Sequence, residues 1–440
     1  MSEKLGDIAV QSMIARFFYD IAEPLARFGG ETHRYIGDEV VVTWALEQGV
    51  QDARCIRCAL AIRSLSRSRA EWFRSQYGFA PEFRIGMHGG SARGILQYMA
   101  AGSGHPALKA CVARAATGFM YPHGFFQGGE VRRSLVDGWF NSIGNPSLKD
   151  FYLAHPIRDA FWDPLDIGTR ASSINVPILH YGGYFDIFTA GAREGYTLLQ
   201  EEGGPGAAGK QRVVIGPWAH DSIESLNQGE LTYPPESVYG LNSLRWRWYD
   251  HHVKGVANGV DTEDPISLYV MGDVDDPLTG NYWLDLDTFQ PPRIQYLFAN
   301  PTGVPNEALL SPFTAPGDTF AFTYTFDPTD PLTTLGGQNL YEDQGPYDQR
   351  PVHAGRSDIV YLLTPELHSP ITVVGEVEVT LSAAISTPDT DWCVKLIDVY
   401  PDGREVLLSD TVQRARFRSG TDAEVLITPG NVYSYRLKLW

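Results

Sequence analysis

FRIGMHGGSARG, residues 83–94, places three structural signals in one short run. Phe83, Ile85 and Met87 alternate as in a short strand, Gly89 and Gly90 permit a tight reversal, and ILQYMAA after Gly94 opens a helical pattern. A strand, a sharp turn carrying a serine and a helix make a nucleophile elbow. Its turn is strained, so small neighbours are required, and it lifts the serine oxygen clear of the sheet. Ser91 stands at the apex. The spacing is Gly-x-Ser-x-x-Gly rather than Gly-x-Ser-x-Gly, with Arg93 where the second glycine is usual. A Gly-Gly-Ser turn alone is more often only a turn, so the flanking chain must decide.

Downstream, INVPILHYGGYFDIF (174–188) and RVVIGPWAH (212–220) are apolar on both faces, the mark of strands inside a parallel sheet. They end at Asp186 and at His220, and strand ends are where an open α/β sheet presents its chemistry. Serine, aspartate, histidine is the α/β-hydrolase chain order. In that reading Ser91 is the nucleophile, His220 takes its proton, and Asp186 fixes the imidazole tautomer and stabilises its cation. Of the eleven histidines, His251 and His252 lie in a helical run and His88 lies beside the elbow. Only His220 both ends an apolar strand and follows the aspartate. Tyr184 and Trp218 adjoin the two loops, where either an acyl pocket or core packing would employ them.

Upstream, residues 8–28 are apolar at helical spacing with Pro24 interrupting a late turn. GGETHRYIGDEVVVTW (29–44) reads as a hairpin around Gly37-Asp38, and residues 50–77 read as one long Arg-rich helix. Helix, strand, strand, helix, strand is a ferredoxin-like split βαβ order without its first strand. After about residue 290, FAFTYTFDPTDPLTTLGG, SDIVYLLTPELHSPITVVGEVEVTLSAAIS and DTDWCVKLIDVYPDG are short alternating runs parted by turn residues, which predicts a β-sandwich.

The formal net charge of −18 is uneven: residues 1–90 hold 11 basic and 11 acidic residues, whereas residues 91–440 hold 24 against 42. Such an acidic surface argues against nucleic acid or an anionic membrane as partner. No apolar run approaches the roughly 20 residues of a membrane span, and the polar start MSEKLGD is unlike a signal peptide. Cys55, Cys58, Cys111 and Cys393 are scattered thiols suited to a reducing cytoplasm. The Cys55-x-x-Cys58 pair lies in a helical pattern without a second ligand pair, so neither a metal nor another cofactor is expected.

Two family resemblances sharpen this reading. From GGSARGILQYMAAGSGHPALKACVARAA onward the chain resembles the CocE/NonD serine hydrolases, the family of cocaine esterase and the Xaa-Pro dipeptidyl-peptidases. Their elbow is Gly-x-Ser-Tyr-x-Gly, which fits Gly89–Gly94; the tyrosine is Ala92 here. The resemblance implies an oxyanion-hole donor at the Ala92 N–H. It also implies a short helical cap over about 118–173 that ends in FYLAHPIRDAFWDPLDI, and a closing jelly roll over 291–440 that stops early. The substrate would be a small ester or amide, acyl or X-Pro dipeptidyl. GGETHRYIGDEVVVTW…AEWFRSQYG…PEFRIGMHGG resembles the first half of a class III adenylate/guanylate cyclase domain, whose Gly-Asp-Glu hairpin carries one of two metal-binding aspartates. That position is Asp38. One carboxylate cannot hold a metal pair, so the cyclase position is vestigial and no cyclic nucleotide is expected.

The two resemblances meet at GMHGGS. The expected architecture is therefore an α/β-hydrolase core over 83–290. Its strands before the elbow, and with them a tyrosine hydroxyl of the family's oxyanion hole, are replaced by the partial cyclase segment of 1–90. The functional expectation is a serine hydrolase weakened by that loss. The alternatives are a non-enzymatic chimera and, less well supported, half of a nucleotide cyclase.

Overall fold

The computed structural model describes residues 7–36, 39–44, 54–81, 84–276, 279–289, 297–312 and 320–440. The N-terminal segment forms α1 (Asp7–Arg27), the hairpin β1 (Glu31–Ile36) and β2 (Glu39–Thr43), then α2 (Arg54–Ser68) and α3 (Ala70–Tyr77). Its apolar stripes meet in a small core of Ile21, Leu25, Cys58 and Ile62, on which Val40 and Val42 of the hairpin pack. Two expectations change in detail. The helix α1 continues through Pro24, and the long helix expected over 50–77 is broken at Arg69. The Arg69 guanidinium there holds Asp20 of α1 through two hydrogen bonds, of 3.0 and 3.2 Å.

The main sheet is built from β3 (Ile85–Gly90), β4 (Leu108–Arg114), β5 (Ile178–Phe185), β6 (Arg212–Ala219), β7 (Ile266–Val270) and β8 (Tyr282–Leu286). The spatial order is β8-β7-β6-β5-β4-β3, parallel from β3 to β7, with β8 antiparallel at the far edge. Helices α4 (Ala92–Ala101) and α7 (Thr189–Glu202) cover one face, where Tyr98, Cys111, Ala113, Ile178 and Leu199 are buried together. Helix α8 (Leu241–His252) covers the other through Leu244 and Trp248 against Val112, Leu179 and Val214. Both faces of β5 and β6 are buried, which explains their unbroken apolar sequence. Each fully buried aliphatic there contributes roughly 1.5–3 kcal/mol.

The elbow strand β3 is an edge strand. Among the described residues nothing pairs with its outer side, and the hairpin β1–β2 forms a separate two-stranded sheet. The N-terminal unit instead lies beside that edge through side chains. The Arg34 guanidinium sits 4.8 Å from the Trp246 ring on α8, Arg63 reaches His105 at 2.7 Å, and Ile56 packs on the α4 face. The unfilled edge expected at the join is therefore present among the described residues.

Between β4 and β5 the chain forms a cap with α5 (Arg133–Ser142), α6 (Leu148–Leu153) and two 3-10 turns, packed on Tyr121, Phe125, Phe126, Phe140 and Trp162. The C-terminal part is a β domain. Strands β9 (Phe298–Pro301), β10 (Glu307–Ser311) and β11 (Tyr361–Leu363) form one sheet. Strand β12 (Val377–Ala383) pairs with β15 (Tyr433–Leu439), and β13 (Asp391–Val399) pairs with β14 (Glu405–Arg414). Leu381, Trp392, Val394, Tyr435 and Leu437 fill the space between the last two pairs. The run FAFTYTF departs from expectation. Residues 320–326 have no ladder among the described residues, and Phe320, Tyr324 and Phe326 are exposed, so alternation there never found a partner strand.

Candidate active site

Ser91 follows the last residue of β3 and precedes the first residue of α4, with φ 56° and ψ −129°. A β-carbon makes positive φ costly, by about 1–3 kcal/mol, and the surrounding contacts must hold it there. The backbone does so: Ser91 N–H donates to the Arg114 carbonyl at 3.0 Å, and the Ser91 carbonyl accepts from Gly94 and Ile95. The helix thus begins at Ala92, earlier than the apolar periodicity after Gly94 suggests. The two flanking glycines are explained by space. A β-carbon at Gly89 would lie 2.4 Å from the Arg93 carbonyl oxygen, and one at Gly94 would lie 2.5 Å from the Ala116 β-carbon. The wider Gly-x-Ser-x-x-Gly spacing therefore puts its second glycine where α4 crosses β4. Gly94→Ala is expected to cost about 1–3 kcal/mol by overpacking that crossing, read as a lowered denaturation midpoint.

Asp186 and His220 follow the C-terminal ends of β5 and β6, and the chain brings all three side chains together. Ser91 Oγ lies 2.9 Å from His220 Nε2, and His220 Nδ1 lies 2.9 Å from Asp186 Oδ1. A carboxylate only accepts, so Nδ1 carries the proton and Nε2 is left free to accept from the serine hydroxyl. Asp186 is fully buried and His220 is 5% exposed. Burial works against the imidazolium, but the Asp186 charge and hydrogen bond outweigh it and hold the His220 pKa above its ordinary value. Asp186 Oδ1 also accepts the Phe188 N–H at 3.0 Å, whereas Oδ2 has no hydrogen-bond partner among the described residues.

Beneath the acid loop lies a cation that sequence reading does not single out. Arg132 is half-buried and donates to the Ile187 carbonyl at 2.7 Å. Burial pushes its pKa down to about 10, against the opposing charges of Asp410 and Asp186. A single inward-turned arginine leaves no periodic signature, so GEVRRSLV gives no hint of it.

The Ala92 N–H stands at the first helical position, where no intrahelical acceptor exists, and it adjoins the serine. Trp218 is a correction. Its ring is fully buried against Leu241, Trp248 and Trp283, because its place in β6 turns it under α8 and away from the serine loop. Tyr184 is half-buried on the opposite sheet face beside Tyr196, Val213 and Ile215. Asp38, the cyclase-type metal position, lies outside the described residues. Among those described no cluster of three or more His, Cys, Asp or Glu side chains could hold a metal ion.

Comparison with known proteins agrees with this geometry. Residues 70–148 and 141–222 match the X-Pro dipeptidyl-peptidase (S15 family) domain, and residues 258–440 match the X-Pro dipeptidyl-peptidase C-terminal non-catalytic domain. The chain is a CocE/NonD-type serine hydrolase.

This hydrolase is 26% identical over 413 residues to the cocaine esterase of Rhodococcus sp. (strain MB1 Bresler), covering 81% of the chain and 69% of that protein. An aminopeptidase from a marine sediment archaeon, Thaumarchaeota archaeon, superposes with a TM-score of 0.69 at 22% identity, over 86% of the chain and 69% of its own. A stretch of 91 residues is 35% identical to adenylate cyclase 2 of Rhizobium meliloti (strain 1021), covering 21% of the chain and 25% of that protein. The hydrolase thus has ester or peptide bonds as its substrate class.

Proposed function

We propose that the CocE/NonD-type hydrolase cleaves small esters or amides through an acyl-enzyme on Ser91. The observation that carries this reading is the continuous hydrogen-bonded chain Ser91–His220–Asp186. In the first half-reaction the Ser91 oxygen attacks the substrate carbonyl as its proton passes to His220 Nε2, and the resulting imidazolium is held by Asp186. The Ala92 N–H donates to the tetrahedral oxyanion. His220 then gives the proton to the departing alcohol or amine, and water activated by the same nitrogen releases the acid. Tyr184 remains a candidate wall of the acyl pocket.

The rate is set low by what the elbow lacks. The resemblance assigns the second oxyanion donor to a tyrosine ahead of the elbow, and residues 1–90 hold no counterpart. Loss of one such donor costs roughly 10²–10³ in kcat, about 3–4 kcal/mol. An activated aryl ester bypasses part of that barrier, and with it a burst of phenol stoichiometric with enzyme is expected, followed by slow turnover. Equal phenol release with and without enzyme would reject the acyl-enzyme.

The pH dependence follows from the raised His220 pKa. Only neutral imidazole accepts the serine proton, so kcat/KM should fall on acidification with a midpoint above the ordinary value of about 6.5. Stability runs the other way. A raised folded-state pKa gives stabilisation that is full below the unfolded-state value and is lost as pH rises through the folded-state value. Activity that rises with pH alongside a weakening His220–Asp186 contribution to stability is the expected pair of profiles. A midpoint below 6.5 would place a different base in the reaction.

For localisation, all four cysteines are free thiols and no helix among the described residues is long and apolar enough to cross a membrane. These features support the cytoplasmic reading.

A further inference from the structure

The elbow sits in a positively charged corner of an otherwise acidic chain. The sheet register sets Gly90, Arg114 and Tyr181 side by side at the C-terminal ends of β3, β4 and β5. Arg114 is exposed, and its stem runs across Gly90. Its Cδ and Nε lie 3.3 and 3.5 Å from the point a Gly90 β-carbon would occupy, so the glycine leaves room for the arginine. Two further arginines lie on the flanking helices. Arg93 is the second residue of α4, and its own β-carbon crowds Gly89 at 2.6 Å from where that residue's β-carbon would be. Arg245 on α8 lies 5.1 Å from the Trp246 ring, bonds through Nη2 to the neutral Asn242 side chain, and has a buried Nε without a partner among the described residues.

Electrostatic neighbours tie the three together. Arg114 and Arg245 both act on Tyr181, and Arg245 and Arg93 both act on His88; desolvation first, then these two guanidinium groups, hold the His88 pKa below its ordinary range. Arg114 also acts on His220. Two carboxylates share the corner, Glu224 acting on Tyr181 and Asp221 on His220, and both are held by neutral donors, not by the arginines. Glu224 accepts the Gly240 and Leu241 N–H groups at 2.6 and 2.8 Å, and Asp221 accepts from Gln344 at 2.8 Å. Elsewhere arginines are matched with acids, as Arg158 is with Asp163 and Asp166, or Arg416 with Asp389 and Glu424. With 42 acidic residues to 24 basic ones after residue 90, it is unusual that none of these three guanidinium groups makes an ion pair within 4 Å among the described residues. Mutual repulsion of like charges is relieved by an anion.

We propose that Arg114, Arg93 and Arg245 form an anion subsite beside Ser91 that selects ester or amide substrates carrying a carboxylate. Planar guanidinium groups suit that partner through paired N–H donors. The proposal deepens the serine-hydrolase reading and rests on it for the word substrate, but anion binding at this corner is testable apart from catalysis.

The first measurement therefore uses the Ser91→Ala protein and follows the His88 imidazole by NMR while glutarate is added. A bound dianion offsets Arg245 and Arg93, so the His88 pKa should rise saturably with a Kd in about the millimolar range or tighter, and Arg114→Gln in the same background should weaken glutarate at least about tenfold, some 1.4 kcal/mol. The second uses the Ser91 enzyme on two ester pairs. One carries a carboxylate on the acyl chain, 4-nitrophenyl hydrogen glutarate against 4-nitrophenyl pentanoate; the other carries it on the leaving group, 4-carboxyphenyl against phenyl butanoate. In at least one pair the carboxylate ester should have the higher kcat/KM, and Arg114→Gln should collapse that ratio at least about tenfold; the responding pair tells which side of the scissile bond meets the arginines. No glutarate-dependent change at His88 would overturn the subsite. A change at His88 with no preference in either pair would overturn its role in selection, and glutarate binding untouched by Arg114→Gln would remove Arg114 from it. Loss of all ester turnover with glutarate binding intact would count against the Ser91 reading alone.

Discussion

Ser91→Ala is expected to lower kcat on an activated aryl ester by about 10⁴-fold or more, leaving a rate indistinguishable from the uncatalysed reaction. Removing the serine of a complete triad costs on the order of 10⁶, and the residual 10³–10⁴ over water normally comes from the oxyanion hole and binding. On the proposed reading one oxyanion donor is absent, so that residual floor is lower and little remains once the nucleophile is gone. The substitution leaves the fold with no cavity and relieves none of the contacts at Gly89 or Gly94. Far-UV spectra and the denaturation midpoint should therefore stay close to those of the parent. Equal aryl-ester rates in parent and variant would reduce Ser91 to a turn residue.

Asp186→Asn is expected to lower kcat by about 10³- to 10⁴-fold, with the fold retained. The carboxylate does two things that an amide cannot do together: Oδ1 accepts both His220 Nδ1–H and the Phe188 N–H. If the amide nitrogen turns to that position, it faces two donors and forces the wrong imidazole tautomer. If the amide oxygen stays there, the NH2 group occupies the buried Oδ2 site, where the carboxylate oxygen has no hydrogen-bond partner among the described residues. In both cases the charge that stabilises the imidazolium is lost. The acid limb of kcat/KM should consequently move to lower pH, because the attraction that raised the His220 pKa is gone and burial remains. An unchanged acid limb would mean that Asp186 is not coupled to the base.

How much of this was legible in the sequence depends on how local each signal is. The elbow, the two strand-end residues and their order are local patterns, and the structure joins Ser91, His220 and Asp186 by two contacts of 2.9 Å. Strands β5 and β6 announced themselves because both their faces are buried. Other features are set by partners far along the chain. FAFTYTF alternates like a strand but has no ladder among the described residues, since alternation describes a surface and not a neighbour. Trp218 stands two residues before His220, yet its side chain turns under α8 because that face of β6 is core. The true start of α4 escapes the apolar pattern because helical periodicity is silent about a backbone that enters the first turn through a strained serine. The arginines at 93, 114, 132 and 245 show no pattern in sequence. Strand register and one glycine bring Arg114 beside the elbow, and only the fold brings Arg132 to the Ile187 carbonyl.

The edge position of β3 has the largest consequence for rate and stability together. An elbow strand normally gains rigidity from neighbours on both sides, whereas among the described residues β3 has a strand on one side alone and is held by α8 through the Tyr249 hydroxyl, which donates to the Met87 carbonyl at 2.7 Å. Weak turnover from a correctly assembled triad is the result this arrangement implies.

The most direct measurement is covalent labelling by a fluorophosphonate, followed by mass-spectrometric mapping of the modified peptide. The reagent reacts with a serine only when a neighbouring base activates it, so it reads the Ser91–His220 pair without requiring a known substrate. A single adduct on Ser91, lost in Asp186→Asn and absent after denaturation, is the predicted result; no adduct, or one on another serine, would contradict a nucleophile at Ser91.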